Sequence, residues 1–232
     1  MKMSKYINRS FACYLLLLGP VCVGQDQDWR PSSLRAGVDV VGFGRTLLSD
    51  TYARQEFQAD IDFNSYFLVV DVGREEMDHS GEGFNHTTNG AFYRVGIDVN
   101  MTPYNANRDL AFFGLRYAHA SFDEALAFNY EAPYWGPEQV GVSNNGIASN
   151  WMEAVIGIKV KLWRQFYLGY TLRAKIFNNI SGAGSLVPYA VPGYGVVRDS
   201  GNVGFGYHLY YRLAFRDKAV PLRPSVTKKT LK

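Results

Sequence analysis

The chain has 232 residues, 47% hydrophobic and 15% aromatic, with 23 glycines and a formal charge of +3. That length suits one full-sized domain. A near-balanced charge without a basic stripe excludes nucleic acid as a partner, and no apolar run approaches the roughly 20 residues that a membrane-spanning helix requires.

The first legible element is Phe11–Val23, FACYLLLLGPVCV, which follows Lys2, Lys5 and Arg9 and leads into Gly24. A basic start, a short apolar run and a small-residue end are the layout of a secretory signal peptide, expected over residues 1–24. Both cysteines, Cys13 and Cys22, fall inside it, so no disulfide is expected in the exported chain. Residues 25–33 are expected to form a periplasmic N-terminal segment.

From Leu34 onward, apolar residues recur at every second position, the period of a strand rather than a helix. Eight such segments are expected: Leu34–Leu48, Tyr52–Phe63, Tyr66–Glu75, Ala91–Met101, Leu110–Asp123, Trp151–Leu162, Phe166–Phe177 and Val203–Phe215. The connections are short at 49–51, 64–65 and 163–165, medium at 102–109, and long at 76–90, 124–150 and 178–202. The three long ones fall on one side. Antiparallel strands with turns at one end and long loops at the other describe an all-β, eight-stranded, up-and-down transmembrane β-barrel over residues 34–216. Residues 217–232 follow as a basic tail on the periplasmic side.

Two barrels compete, one with its apolar face inward around a ligand and one with it outward against lipid. Glycine discriminates. Gly37, Gly73, Gly96, Gly114, Gly157, Gly169 and Gly206 all lie on the charged face, where they make room for long side chains in a narrow interior. The same face carries Arg35, Asp39, Glu56, Asp60, Asp62, Asp71, Arg94, Asp98, Arg116, Glu153, Lys159, Lys161, Arg173, Lys175 and Arg212. Their signs nearly balance, so a polar lumen filled by paired charges is expected. The other face has no charge in mid-strand, and lipid would tolerate none cheaply. A lumen this full is plugged, which excludes a porin role.

The strongest hint of chemistry is FGLRYAHASFDE. His119 and Ser121 share the outward face near a long loop, a general base beside a hydroxyl nucleophile. The stretch is similar to the Arg-x-x-His-x-Ser element of the outer-membrane lipid A deacylases. That resemblance implies ester hydrolysis of lipid, with Arg116, His119 and Ser121 as the matching residues and Phe122 standing where that family has Asn. The loop MDHSGEGFNH offers His79, Glu82 and His86, whose spacing matches no established metal site. Tyr130, Tyr134, Trp135, Tyr189 and Tyr194 make two loops aromatic, consistent either with contact surfaces or with loops folding over the barrel mouth. No cofactor or metal is expected.

The stretches LRAGVDVVGFGRTLLSD, YRVGIDVN, FFGLRYAHASFDE and YHLYYRLAF resemble a family of Bacteroidota outer-membrane barrels built on a domain of unknown function. The resemblance implies a fold and an outer-membrane address, and assigns no activity. It points to a non-catalytic interaction or scaffolding role through surface loops. Expected partners are outer-membrane lipid, other outer-membrane proteins, and the barrel-insertion machinery that reads a last strand ending in Phe215. The alternative is a lipid hydrolase.

Overall fold

The computed structural model describes residues 29–49, 51–105, 108–132, 136–184, 186–198 and 201–216. The expected signal peptide, residues 1–24, and the expected tail, residues 217–232, lie outside them. In chain order the elements are β1 (Ser33–Asp39), α1 (Val40–Leu48), β2 (Tyr52–Phe63), β3 (Tyr66–Gly81), β4 (Phe84–Asn100), β5 (Leu110–Ala132), β6 (Gly136–Trp163), β7 (Phe166–Ser181), β8 (Ala190–Val191), β9 (Gly195–Val196) and β10 (Asn202–Ala214). Strands β1 to β7 and β10 close into an antiparallel, up-and-down ring in which β10 returns to pair with β1.

The two-residue period decides what faces where. Along β3, exposed Tyr66, Leu68, Val70 and Val72 alternate with buried Phe67, Val69 and Asp71. The same division holds around the ring: Ile97 and Ile156 are 52% and 53% exposed on the outer face, while Arg94 and Glu153 are fully buried inside. Pairing Arg35↔Asp60, Asp71↔Arg94 and Arg116↔Glu153 sets opposite charges directly across from one another. A slip of one residue would turn every one of them outward, so the pattern fixes the register. Gly37 and Gly169 flank the ring of Tyr210, and a Cβ at either would collide with it. Asp62 and Lys161 depart from the expected enclosure: they sit at strand ends, half-buried and exposed respectively. The β6–β7 register shifts between Lys161 and Trp163.

The interior is layered rather than uniformly polar. Phe67, Val69, Leu110, Phe112 and Val155 form an apolar floor. Above the ionic middle lies an apolar roof of Phe92, Ala118, Ala120, Phe122, Ile147 and Trp151. Cations lie against the aromatic rings of the two layers: Arg35 lies 4.5 Å from the Phe67 centroid, Arg94 4.4 Å from Phe92, and Lys159 5.0 Å from Phe112. Such contacts let a buried guanidinium or ammonium meet an aromatic face where no carboxylate fits.

The first expected strand, Leu34–Leu48, ends early. Asp39 accepts the Val41 amide at 3.2 Å and caps α1, which occupies the rest of that segment. The β1 ladder therefore stops at Val38↔Phe57 on one side and Asp39↔His208 on the other. Thr46 substitutes for the missing strand on the β2 side, accepting from the Arg54 amide at 2.8 Å and donating to its carbonyl at 3.0 Å. Val40, Val41, Leu47 and Leu48 of α1 are exposed.

The expected long loops at 76–90 and 124–150 are hairpins instead. Backbone pairing runs on to Gly81↔Phe84 and to Ala132↔Gly136, beyond the point where apolar alternation ends. In the first hairpin both faces are largely polar, and in the second the apolar positions Leu126, Phe128, Val140 and Val142 are interrupted by Ala, Gly and Pro, so the hydropathy does not mark either as a strand. Within the third long connection, 178–202, β7 continues to Ser181 and β8–β9 forms a small hairpin.

Candidate functional site

The ionic layer is built on inward positions of every long strand. Glu56 is its hub: Arg94 donates to it at 2.9 Å and Arg173 at 3.0 Å, and Arg54 donates as well. Asp71 accepts from Arg116 at 2.7 Å and from Gln58. Arg116 also reaches Asp98 at 3.2 Å. Glu153 accepts from Arg94 at 3.1 Å and from the Trp151 indole at 2.8 Å. Nearer the floor, Asp60 joins Arg35 at 2.7 Å and Lys159 at 2.7 Å. Among the described residues, seven basic side chains are buried against eight acidic ones. That balance offsets the cost of removing these charges from water, because Glu56, Asp60, Asp71, Asp98 and Glu153 each meet a cation directly. Asp39, expected in the same network, lies at its edge, 3.9 Å from Arg54, because it also caps α1.

Strand parity alone assembles most of this network and puts Tyr210 on the charged face with His208 and Arg212, but it leaves out Arg54 and Trp151. Arg54 was legible, since it shares the parity of Glu56 and Gln58. Trp151 reads as one more aromatic at a strand start. The Tyr210 hydroxyl donates to Gln58 inside the lumen.

The connection between β7 and β10 closes the long-loop end. Val191 and Tyr194 drop into the apolar roof, and the Trp151 and Tyr194 rings meet edge-on at 5.5 Å. Three lumen groups grip the hairpin backbone. Glu75 accepts the Gly193 amide at 2.6 Å, Arg94 donates to the Gly193 carbonyl at 3.2 Å, and Lys175 donates to the Gly193 and Tyr194 carbonyls at 2.8 and 2.9 Å. Tyr52 donates to the same Glu75 at 2.6 Å. Tyr194, one of the loop contact candidates, is 1% exposed and part of the plug, the folded-over alternative. Burial raises its phenol.

Tyr189 stays exposed, stacked on His79 at 5.5 Å and edge-on to His86 at 5.8 Å. His79 and His86 are a cross-strand pair, and His86 lies 3.3 Å from Glu124; among the described residues these groups form no metal-like cluster. Asn144 donates to Glu124 at 3.1 Å and to the Leu186 carbonyl at 2.7 Å, tying the plug to the β5–β6 hairpin. Tyr130 belongs to β5, whereas Tyr134 and Trp135 lie outside the described residues.

On the outer face, His119 and Ser121 do not hydrogen-bond to each other among the described residues. His119 Nδ1 meets Asn150 Oδ1 at 2.7 Å, and Tyr117 donates to the same oxygen at 2.6 Å. Ser121 is exposed beside them. Asn150 can hold the imidazole tautomer that leaves Nε2 as the acceptor, a base-orienting arrangement that strand spacing alone does not reveal. Arg116, matched to the same motif, points the other way and is spent on Asp71 and Asp98.

Fold and interior together define a class: a closed eight-stranded antiparallel ring, apolar outside, ionic within, and stoppered by its own last loop. The chain belongs to the DUF6048 family, a domain of unknown function whose model matches residues 22–218. No curated protein and no solved structure matched the chain.

Proposed function

We propose that the protein is an outer-membrane β-barrel that acts without catalysis, as an interaction or scaffolding component of the cell envelope. The observation carrying this reading is the outward apolar face that runs around the ring. It is bounded by Trp163, Phe166 and Tyr211 at the turn end and by Tyr93 and Tyr117 on the loop side. Such a belt with aromatic margins is what lipid contact demands. An interior this crowded leaves conduction no path.

The working part is then the sheet that rises beyond the belt. β5 and β6 are 23 and 28 residues long, and their pairing continues to Ala132↔Gly136. β7 pairs with β6 only as far as Ala148↔Ser181. Residues 136–147 of β6 therefore carry a backbone edge that β7 leaves unpaired, the kind of edge another chain can extend. The exposed Tyr189 adds contact area nearby.

The expected result uses the absence of cysteine from the exported chain. A single Ser143→Cys should react with a membrane-impermeant maleimide in intact cells and cross-link a neighbouring envelope protein. A Thr102→Cys at the other end should react only after the outer membrane is opened. Equal labelling of both in intact cells contradicts the reading.

The Asn150–His119 pair favours one second reading, a lipid ester hydrolase with Ser121 as nucleophile. It predicts that lipid A from cells with Ser121→Ala retains an acyl chain that the unaltered protein removes. Identical lipid A from the two strains excludes it.

A further inference from the structure

The turn end of the ring holds a cavity of about 90 Å³ that neither the envelope role nor the hydrolase reading uses. By volume it holds several waters or one small tetrahedral ion. Ser32, Arg35, Asp62, Arg108, Asp109 and Arg212 are among its lining residues. Three guanidinium groups in one small space need an explanation.

Arg35 and Arg212 face each other directly across the β1–β10 ladder. Like charges opposed in this way destabilise a sheet unless something lies between or beside them. Arg35 donates to Asp60 through Nε at 2.8 Å and lies within ion-pair distance of it, but its buried Nη2 lacks a hydrogen-bond partner among the described residues. Arg212 is 9% exposed, makes no salt bridge among the described residues, and its buried Nη2 has no hydrogen-bond partner there. Arg108 adds its charge from a left-handed backbone, φ 59°, a conformation that usually selects Gly or Asn.

The acidic side of the cavity is as informative. Asp109 is already occupied, accepting the Lys161 amide at 2.9 Å and the Asn105 side-chain amide at 3.4 Å. Asp62 accepts from the Ser32 hydroxyl at 2.8 Å through Oδ2 only. Its Oδ1 is buried and has no hydrogen-bond partner among the described residues. The cavity thus presents charged donors without a hydrogen-bond partner on Arg212 and Arg35 and a charged acceptor without one on Asp62, among the described residues. A bare anion would satisfy Arg212 and be repelled by Asp62. Buried polar groups of both kinds are paired in folded proteins, so the missing partner must accept and donate at once.

We infer that this cavity binds a protonated phosphate group, its P–O⁻ oxygens on Arg212 with Arg108 and Arg35 alongside, and its P–OH donated to Asp62 Oδ1. Hydrogenphosphate fits because it keeps a proton near neutral pH. Sulfate has the same shape and carries none. A site built to take a hydroxyl proton rejects the analogue that lacks it, because the acceptor is left buried and unpaired.

The test is titration calorimetry on the full exported chain in detergent micelles at pH 7, with sodium phosphate or sodium sulfate at matched ionic strength. The expected result is saturable phosphate binding at least tenfold tighter than sulfate. Asp62→Asn, which supplies a donor in place of the acceptor, is expected to narrow or reverse that preference. Arg212→Gln is expected to weaken phosphate at least tenfold, whereas Arg45→Gln on α1 leaves it unchanged. Methyl phosphate and dimethyl phosphate separate the sources: equal binding of the monoester points to a phosphorylated ligand, and its exclusion points to the free ion. Binding of the diester, equal affinity for sulfate, or no saturable heat with the unaltered protein overturns the inference. The phosphate–sulfate comparison needs no variant, so a misfolded Arg212→Gln does not shelter it.

Discussion

Replacing Glu56 by alanine is expected to destabilise the folded chain by about 3–5 kcal/mol, the range for breaking a buried ion pair from one side. Arg94 and Arg173 both donate to Glu56 and are almost fully enclosed, as is His208, 3.4 Å away. Removing the carboxylate leaves two guanidinium groups that cannot reach water. Each keeps a second acidic neighbour, Glu153 at 3.1 Å from Arg94 and Asp71 at 3.8 Å from Arg173, so the ring is weakened rather than abolished. Glu56→Gln keeps the shape and isolates the charge, and is expected to cost most of the same amount. Urea unfolding of detergent-solubilised protein, followed by far-UV circular dichroism, reads both values. An unchanged midpoint for Glu56→Gln would mean that the ionic layer is spectator to stability.

The second large effect lies on the opposite face. Ile97 sits in the middle of the outward belt on β4, 52% exposed, with Leu68 and Leu115 across its two ladders. Ile97→Arg is expected to disfavour the bilayer-inserted state by roughly 2–4 kcal/mol, the midplane cost of a lipid-facing arginine on a barrel. In water the same change would be nearly neutral, since an exposed isoleucine gives up little. The contrast separates a lipid-facing surface from a water-facing one. Refolding into liposomes across a urea series measures it, and equal yields for Ile97→Arg and the unaltered chain would contradict the assignment of this face.

The strands were legible because their two faces differ so sharply. Val70 against Asp71, or Ile158 against Lys159, needs no structure to be told apart. The interior pairing was legible only as a balance of signs, since parity says that Arg94 points inward but not that it meets Glu56, 38 residues earlier. Helix α1 was hidden because Val38, Val40 and Gly42 continue a strand-like alternation. Its clue was Asp39, which is both an inward residue and a helix cap. The hairpin extensions were hidden for the opposite reason. Thr87, Thr88 and His86 pair in register with β3, yet their surroundings are polar on both sides, so the alternation that marks a strand is lost. The plug was half legible. VPYAVPGYGVV is too apolar for a loop in water, but nothing in the residues chose between contact with a partner and descent into the lumen. The shape of the roof, which Val191 and Tyr194 close with Ile180 and Val197 packed against it, made that choice.

The most direct measurement of the account is the environment of the ring's outer face in a bilayer. Nitroxide side chains placed singly at Val70, Ile97, Ile158 and Leu209 of liposome-reconstituted protein report collision with oxygen, which concentrates in hydrocarbon, or with a water-soluble nickel chelate. The account predicts high oxygen and low nickel accessibility at all four positions, with the reverse at Ser143. Nickel accessibility at the four positions matching that at Ser143 would place water where hydrocarbon is required, and the envelope role would go with it.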